Sequence, residues 1–406
     1  MKADECSVAA IVVNWNGWRD TLECLESILR ADRVPDSIII CDNGSMDGSL
    51  EHLRRWVAAR GIGDRVALLD LGVNLGFAGA NNVGIAYALE RDADYVWMVN
   101  SDVVVGEKAL SRMLALLWRN PRAGMVAPVF LSYDDPEKIQ AMGGGYIIPV
   151  ICHDTQLGRG RKQSGVLTSP IELHHLIGAS LLVRADAARD VGPIDESYFL
   201  YREETDWCIR MRRRGWKLYC CPDAVVWHKE CRCIGFRSPV HDYYAVRNML
   251  VLVSRLYPMY LPAAALYFAC RSIAPKLWRR EFVRLKAVLA AYSDFFRGVR
   301  GRSESHPDSA LLSQLVADSQ DIPQRRLDGL GREGAHDFLC PDGEPLPLQP
   351  IVVEANDGVG KGVGAIGNEP AIAVSEDALG PHGGSHDGQA VRHGADDLSF
   401  HPGAEA

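Results

Sequence analysis

The stretch VAAIVVNWNGWRDTLECLESILRADRVPDSIIICDNGSMDGS, residues 8–49, alternates a strand pattern with a helix pattern. VAAIVVN (8–14) and SIIICD (37–42) are apolar, β-branched runs of strand length. Between them, Leu22, Leu25 and Ile28 fall on one face of a predicted helix over residues 18–31. A strand followed by a helix and a second buried strand is typical of a parallel sheet.

The same alternation extends outward along the chain. Further strands are predicted at 65–71, 94–100, 179–184, 216–220 and 224–228, and further helices at 48–60, 74–91, 106–119, from 186 and at 203–215. Residues 130–175 contain glycine-rich turn and loop patterns and carry no predicted chemistry. We therefore predict an α/β fold, a mostly parallel sheet with helices on both faces, whose ligands bind beyond the carboxyl ends of the strands.

Composition excludes several classes of protein. The chain has 406 residues, 24% charged and 47% hydrophobic, which excludes collagen-like, coiled-coil and wholly disordered chains. Its net charge of -8 is uneven, because residues 301–406 carry 6 basic and 18 acidic side chains while residues 1–300 have a net charge of +4. Residues 1–300 lack the strong basic surplus of a nucleic-acid-binding protein, so no nucleic-acid partner is expected.

Three regions follow from these changes in composition. Residues 1–240 are predicted to form the nucleotide-binding domain, residues 241–300 a helical extension, and residues 301–406 an acidic, glycine-rich, disordered tail. The extension joins an uncharged run at 256–270 to a segment at 271–300 with 8 basic and 2 acidic residues. The uncharged run is too short to span a bilayer, so peripheral membrane contact is expected, with a helical subdomain packed on the core as the alternative.

The cysteines and the start of the chain bear on location. No secretory signal pattern is present at the start, and the 11 cysteines are scattered, which favours reduced thiols in the cytoplasm, with the inner face of the cytoplasmic membrane as a peripheral location. Cys220, Cys221, Cys231 and Cys233 lie near His228, but their spacing matches no regular zinc site.

Two predicted strands end in polar turns. In CDNGSMDGS (41–49), Asp42 can accept hydrogen bonds from a base or ribose, although capping the next helix is an equal alternative. In VNSDVVV (99–105), Asp102 lies in an oxygen-rich turn that suits Mg²⁺ or Mn²⁺ held together with a diphosphate.

Two predicted helix starts carry the other candidates. NLGFAGANN (74–82) places Gly76 and Gly79 where backbone can approach a phosphate, although a close helix–strand contact also explains them. In YREETDWCIR (201–210), Glu203 and Asp206 share a helix side with Arg210, whereas Glu204 points about 100° away. A carboxylate of this helix that faces the cleft is suited to take a proton from a substrate hydroxyl. A salt-bridged helix start is the structural alternative.

Together these motifs resemble family 2 inverting glycosyltransferases of the GT-A fold, most closely the bacterial rhamnosyltransferase-like branch. The resemblance covers roughly residues 6–300 and rests on IVVNWNG, CDNGSMDGS, NLGFAGANN, VNSDV, IGASLLVR, GPIDESYFLYREETDWCIRMRRRGW and AVVWHKE. It implies sugar transfer from a dTDP-, UDP- or GDP-sugar to a saccharide or lipid-linked acceptor in cell-envelope polysaccharide synthesis.

The resemblance also implies residue roles. Glu204 corresponds to the catalytic base, and Asp102 and His228 to ligands of a divalent cation, Mg²⁺ or Mn²⁺. The residues expected to bind the nucleotide sugar are Asn14, Asn16, Asp42, Gly79, Asn81, Asn100 and Asp102, and those expected on the acceptor side are Glu203, Asp206 and Trp207. The chain departs from the family twice, since Asn100 replaces the first Asp of the Asp-x-Asp motif and Glu204 stands where Asp is commoner.

Two other function classes are weighed against this one. A nucleotidyltransferase is expected to carry a basic, glycine-rich phosphate loop after the first strand, where this chain has NWNGWRD. A non-catalytic sugar-nucleotide-binding or membrane-associated scaffold does not need the carboxylates at 102, 203 and 204. Both alternatives are therefore disfavoured.

Overall fold

The structure, a computed structural model, describes residues 6–148, 153–163, 169–229 and 238–303. Strands and helices alternate first, as β1 (Val8–Asn14), α1 (Trp18–Leu29), β2 (Ser37–Asp42), α2 (Ser49–Arg60), β3 (Val66–Asp70), α3 (Gly76–Leu89), β4 (Tyr95–Asn100), β5 (Val103–Val105), α4 (Ala109–Arg119) and β6 (Ala123–Ser132). Short strands follow, as β7 (Ile139–Met142), β8 (Gly144–Gly145), β9 (Ile147–Ile148), β10 (His153–Asp154), β11 (Ile171–Glu172) and β12 (His175–Leu176). The remaining elements are β13 (Ser180–Arg184), α5 (Ala185–Val191), α6 (Glu203–Arg213), β14 (Lys217–His228), α7 (Pro239–Leu256), α8 (Leu261–Trp278) and α9 (Phe282–Phe296).

The main sheet has the strand order β11-β14-β6-β13-β4-β1-β2-β3. β1 pairs in parallel with β2 and β4, and β6 pairs in parallel with β14. β13 is antiparallel to both β4 and β6, so the strands on either side of it run in the same direction. The predicted α/β fold with a mostly parallel sheet is confirmed.

Burial explains why the apolar runs become central strands. Ile38, Ile39 and Ile40 in succession are almost completely buried, which requires helices on both faces of the sheet. A side chain on Gly84 of α3 would collide with Ile11, so glycine lets this helix approach β1 closely. A large apolar cluster surrounds the sheet, and a second cluster lies among α7, α8 and α9.

The strands differ from the sequence prediction in two places. The two strands predicted at 216–220 and 224–228 form one strand, β14, with a register shift between Cys221 and Val225. Pro222 lies in that shift, where the strand pairing does not require a backbone N–H donor, which proline lacks. Residues 130–175, predicted as turns and loops, contribute the end of β6 and the strands from β7 to β11 within the described residues.

The basic segment at 271–300 of the predicted helical extension is not one continuous helix. It is divided into the end of α8, a turn at 279–281 and α9. Arg284 and Lys276 bind Asp242 of α7 at 2.7 and 3.2 Å. Part of the positive charge of the segment is therefore neutralised by ion pairs within the helical cluster. None of the described helices combines the length and the apolar character needed to cross a membrane.

Some predictions lie outside the described residues. These include Cys231 and Cys233 of the zinc alternative and the tail beyond residue 303. Cys220 and Cys221 are buried free thiols of β14.

Candidate active site

Four predicted site residues lie at one edge of the main sheet. Asn14 is paired with Asp42 at the carboxyl ends of β1 and β2, and Asn100 ends the adjacent strand β4. His228 ends β14, which runs in the same direction. Because parallel strands present their carboxyl ends together, the fold forms a polar edge of the kind that binds nucleotides.

Asn14, Asn16 and Asp42 are brought together around Ser45. The Asn14 amide donates to the Asp42 carboxylate at 2.7 Å and to the Ser45 hydroxyl at 3.0 Å. The backbone N–H of Asn16 donates to the same hydroxyl at 2.9 Å. Thr21 donates to the Asn14 side-chain oxygen at 2.6 Å, so the enclosed Asn14 orients Asp42 through its own amide.

The loop after β2 is joined to the start of α3. Asn43 accepts from the backbone N–H of Leu75 at 2.8 Å and donates to the Asn74 side chain at 3.1 Å. Gly44 adopts φ +73°, and a Cβ there would lie 2.7 Å from the Val73 backbone, so this contact requires glycine. Sequence analysis did not place Asn43 or Asn74 in the site, although both belong to quoted motifs.

Gly79 and Asn81 lie inside α3. A Cβ on Gly79 would lie 2.7 Å from the Leu75 side chain, so the residue allows close packing at the start of the helix. The Asn81 amide donates to the Phe77 carbonyl at 2.9 Å and is buried. Both residues therefore shape the first turns of α3, while the neighbouring Asn82 ties the helix to Glu196 at 2.9 Å.

Asp102 and His228 are brought together as expected. The Asp102 Oδ1 and His228 Nε2 atoms are 3.4 Å apart. Burial raises the pKa of Asp102, but the hydrogen bond and charge of His228 outweigh it, and the net pKa lies below its usual range. Asp102 is therefore held as an anion, the form that a metal ligand requires.

Gln140 orients the His228 ring. Its amide Nε2 donates to the His228 carbonyl at 2.7 Å, which turns its Oε1 toward the ring Nδ1 at 3.1 Å. The Nδ1 atom therefore carries a proton that it donates to Gln140, and Nε2 is the ring nitrogen that faces Asp102. Gln140 lies in the region where the sequence indicated no chemistry, and no motif signals it.

This pair fits one Mg²⁺ or Mn²⁺ ion. Adjacent ligands of an octahedral ion with bonds of about 2.1 Å lie about 3 Å apart, close to the observed separation. Among the described residues, no group of three or more His, Cys, Asp or Glu side chains is arranged to hold a metal. Mg²⁺ sites commonly use one or two carboxylates and complete the coordination shell with water and substrate phosphates.

Lys229 is a further residue that sequence analysis did not single out. Its backbone N–H donates to the Asp102 carbonyl at 3.0 Å. Its buried ammonium group binds both Asp20 and Glu23 of α1. It thus fixes the end of β14 to the Asp102 turn and to α1. The only sequence signal is its position directly after His228.

Glu204 lies in the first turn of α6, beside Gly178, which precedes the strand β13. A Cβ on Gly178 would lie 3.4 Å from the Glu204 side chain and 3.1 Å from the Phe77 ring. The carbonyl of Ala179 accepts from the Asn100 N–H at 2.9 Å. Glu204 is thereby placed near the polar edge of the sheet, and its partly exposed carboxylate also accepts from Thr205 at 3.0 Å.

Asp206 and Trp207 have contacts within the protein. Asp206 binds Arg210 at 2.6 Å and accepts from the Tyr198 hydroxyl at 3.3 Å. The Trp207 ring is part of the core, and its N–H donates to the Gly192 carbonyl at 2.9 Å. The structure encloses both side chains, so it does not present them to an acceptor.

Glu203 is buried beside Glu204. Among the described residues its Oε2 atom has no hydrogen-bond partner. Burial, followed by the neighbouring Glu204 carboxylate, raises the pKa of Glu203 from its ordinary 4.5 to about 8. At neutral pH the enclosed Glu203 therefore keeps its proton, and Glu204 is the more accessible carboxyl group of the two.

A stability measurement tests this protonation. Because folded Glu203 holds a proton that the unfolded chain releases above pH 4.5, the free energy of unfolding should fall as pH rises toward 8. The Gln side chain of the Glu203→Gln variant is neutral at every pH. Relative to wild type, the free energy of unfolding of this variant should therefore increase by up to about 1.4 kcal/mol per pH unit as the pH rises from 4.5 to 8. Urea denaturation at several pH values measures the difference, and parallel curves for the two proteins would contradict the assignment.

Comparisons with known proteins agree with this fold and identify the family. Residues 9–192 match the model of the family described as Glycosyl transferase family 2. The dTDP-rhamnosyl transferase RfbF of Shigella flexneri is 25% identical over 250 residues, covering 59% of this chain and 81% of that protein. The N-acetylglucosaminyl-diphospho-decaprenol L-rhamnosyltransferase of Mycobacterium tuberculosis is 31% identical over 242 residues, covering 53% and 73%.

A solved structure shares the fold. The crystal structure of GalNAc-T7 with UDP, GalNAc and Mn²⁺ matches with a TM-score of 0.52 and 14% identity, over 72% of this chain and 57% of that one. The predicted GT-A fold and the predicted family are confirmed. The chain belongs to glycosyl transferase family 2 and is an enzyme that transfers sugars.

Proposed function

We propose that this enzyme moves a sugar from a nucleoside diphosphate donor to an acceptor hydroxyl with inversion, and that Glu204 is the catalytic base. The observation that carries the proposal is the position of the Glu204 side chain, whose Cβ and Cγ atoms lie beside Gly178, near the sheet edge that holds Asp102 and His228. The buried neutral Glu203 supports it, because it leaves Glu204 as the accessible carboxylate of the pair.

The reaction is a single displacement. Glu204 accepts the proton of the acceptor hydroxyl while the acceptor oxygen bonds to the anomeric carbon of the sugar. The bond from that carbon to the diphosphate breaks on the opposite face, and its electron pair leaves with the nucleoside diphosphate. A cation held by Asp102 and His228 would neutralise part of the charge on this leaving group.

We propose a dTDP-linked deoxyhexose, rhamnose first, as the donor, ahead of UDP- and GDP-sugars. Two relatives support this order, since both are named as rhamnosyltransferases and one name specifies dTDP. The name of the second relative specifies a diphospho-decaprenol acceptor, which supports a lipid-linked saccharide as the acceptor here.

A donor screen tests the proposal. The purified full chain is incubated with dTDP-rhamnose, UDP-GlcNAc and GDP-mannose, each with Mn²⁺, Mg²⁺ or EDTA, and release of nucleoside diphosphate is measured. We expect release from dTDP-rhamnose that requires the metal and increases with a lipid-linked acceptor. Equal release with and without metal, or none from any donor, would contradict the proposal.

We further propose that the turn between α8 and α9 contacts an anionic membrane surface. Trp278 is 87% exposed and Phe282 is 57% exposed on this turn, and Arg279 and Arg280 between them are also exposed. Exposed aromatic rings flanked by basic side chains are typical of peripheral membrane contact. A membrane location at the inner face of the cytoplasmic membrane also fits a lipid-linked acceptor.

Vesicle binding tests the membrane proposal. The Trp278→Ser, Phe282→Ser double variant should lose most of its sedimentation with vesicles containing phosphatidylglycerol, because two inserted rings are removed. Met259→Ser is the matched control, since Met259 is 78% exposed at the opposite end of α8 and should sediment like wild type. Wild-type sedimentation by the double variant, or no binding by wild type, would contradict the proposal.

A further inference from the structure

The turn that leads into α6 has an unusual backbone. Phe199, Tyr201 and Arg202 have positive φ angles of 66°, 67° and 79°. Bulky residues rarely adopt this region, and each such residue costs on the order of 1–3 kcal/mol unless its surroundings hold it. The turn ends where α6 begins, directly before Glu203 and Glu204.

The carbonyl groups of this turn are bound one after another. The Asn248 amide nitrogen lies 2.9, 2.6 and 3.0 Å from the carbonyl oxygens of Tyr198, Leu200 and Tyr201, so its two N–H groups serve three acceptors and one N–H is shared. Arg247 also donates to the Tyr198 carbonyl, at 3.0 Å. The remaining carbonyl, of Phe199, accepts from the Phe77 backbone N–H at 3.1 Å. Side chains of α7 and the start of α3 thus hold four consecutive peptide groups.

Arg247 and Asn248 are themselves fixed. Both are 0% exposed, and the Arg247 Nε donates to the Asn248 side-chain oxygen at 2.9 Å. Arg247 also donates to the Gly301 carbonyl at 2.8 Å. A buried guanidinium is costly unless its N–H groups find acceptors, and here these acceptors include the carbonyl oxygen of the turn. The pair therefore does more than fill the space between helices.

The turn transmits this constraint to Glu204. The Arg202 carbonyl accepts from the Asp206 N–H at 2.9 Å, so the last residue of the turn also begins the hydrogen bonding of α6. A Cβ on Gly76 would lie 2.4 Å from the Phe199 carbonyl oxygen, so the turn packs directly on the first residue of α3. A change in the turn would rotate the first turn of α6 and with it the Glu204 side chain.

We propose that Arg247 and Asn248 are positioning residues of the transfer reaction, which hold the strained turn at 198–202 so that Glu204 faces the acceptor hydroxyl. The inference rests on the proposed role of Glu204. It adds that two buried polar side chains of the C-terminal helices, remote in sequence from the motifs of the sheet, set the rate of the chemical step.

The first test uses Asn248→Asp, which keeps the shape of the side chain and replaces its donor by an anion facing the three carbonyls. We expect kcat to fall about tenfold to hundredfold, because a small displacement of a catalytic group has effects of this size. The KM for the donor should stay within about threefold of wild type, since within the described residues the Asn248 side chain makes its hydrogen bonds to Arg247 and to the turn. Arg247→Lys, which keeps the charge and loses the planar fork, should give a smaller fall in kcat.

The control is Val288→Ala, a buried residue of α9 in the same apolar cluster that has no polar group to bind the turn. Urea denaturation measures the free energy of unfolding of each variant, and kcat is compared under conditions in which all variants are folded. Equal kcat losses in Val288→Ala and Asn248→Asp would overturn the proposal, as would a fall in donor affinity with unchanged kcat. If Asn248→Asp does not fold, Arg247→Lys against Val288→Ala decides by the same criteria.

Glu204→Gln in the same assay separates the two proposals. If Glu204→Gln is inactive and the Asn248 and Arg247 variants keep wild-type kcat, only the positioning role is wrong. If Glu204→Gln keeps wild-type kcat, the proposed base is wrong.

Discussion

Replacing Glu204 by Gln is expected to abolish sugar transfer while leaving donor binding nearly intact. The amide has almost the shape of the carboxylate, so packing beside Gly178 and Phe77 is retained. It cannot accept the proton of the acceptor hydroxyl, and loss of a general base typically lowers the rate by about 10²–10⁴-fold. Product formation measures the first effect, and calorimetric titration with the nucleoside diphosphate in the presence of Mn²⁺ measures the second.

Glu204→Asp is the control for this experiment. It keeps the carboxylate and shortens its reach by one methylene, so we expect partial activity, well above that of Glu204→Gln. Wild-type turnover by Glu204→Gln would exclude it as the base. Equal inactivity of both variants, with reduced donor binding, would show that the residue acts through the structure of α6 instead.

Replacing Asp102 by Asn is expected to weaken donor binding in the presence of metal by at least about tenfold. The change removes the anion of the Asp102–His228 pair, and an amide oxygen is a much poorer ligand for a hard divalent cation. Because the lost affinity belongs to the metal, donor binding in EDTA should be the same for variant and wild type. Titration of the nucleoside diphosphate with and without Mn²⁺ gives both values.

Asp223→Asn provides the matched loss of one negative charge. Asp223 is an exposed carboxylate on β14, the strand that carries His228, and it belongs to no part of the site. It should bind donor like wild type in Mn²⁺. The assignment of Asp102 would be contradicted if Mn²⁺ raised the donor affinity of Asp102→Asn as much as that of wild type. It would also be contradicted if Asp223→Asn lost as much donor affinity as Asp102→Asn.

The sheet edge was predictable because each strand carries its own local signal. The apolar runs that end at Asn14, Asp42 and Asn100 fix both the strand and its polar end, and parallel pairing then brings those ends together. Asp102 was predicted as a metal ligand from its own turn, whereas the roles of Glu204 and His228 came from the family resemblance. The structure places Asp102 with His228, and Glu204 near the same edge.

The rest depends on contacts between segments that are distant in sequence. Gln140 reaches His228 only because β7 pairs with β6 and β6 with β14, pairings for which no motif exists. The burial of Trp207 follows from the way α6 packs, because an aromatic ring beside carboxylates has the same sequence pattern in a cleft and in a core. The positive φ angles at 199, 201 and 202 have no sequence signal, because none of these residues is a glycine.

The hydrogen bonds from α7 to the turn before α6 also bear on how such enzymes can be recombined. The segment that matches the family model ends at residue 192, before Glu204, and the side chains that hold the turn lie further on, at 247 and 248. Consider a chimera that combines the nucleotide-binding half of one family member with the C-terminal helices of another. Such an exchange would replace the proposed membrane-contacting helices and also the side chains that hold the turn before α6. The activity of the chimera would depend on whether the imported helix places the same hydrogen-bond donors within reach of the turn. The α7 helix and the turn that it binds are therefore best taken from the same parent protein.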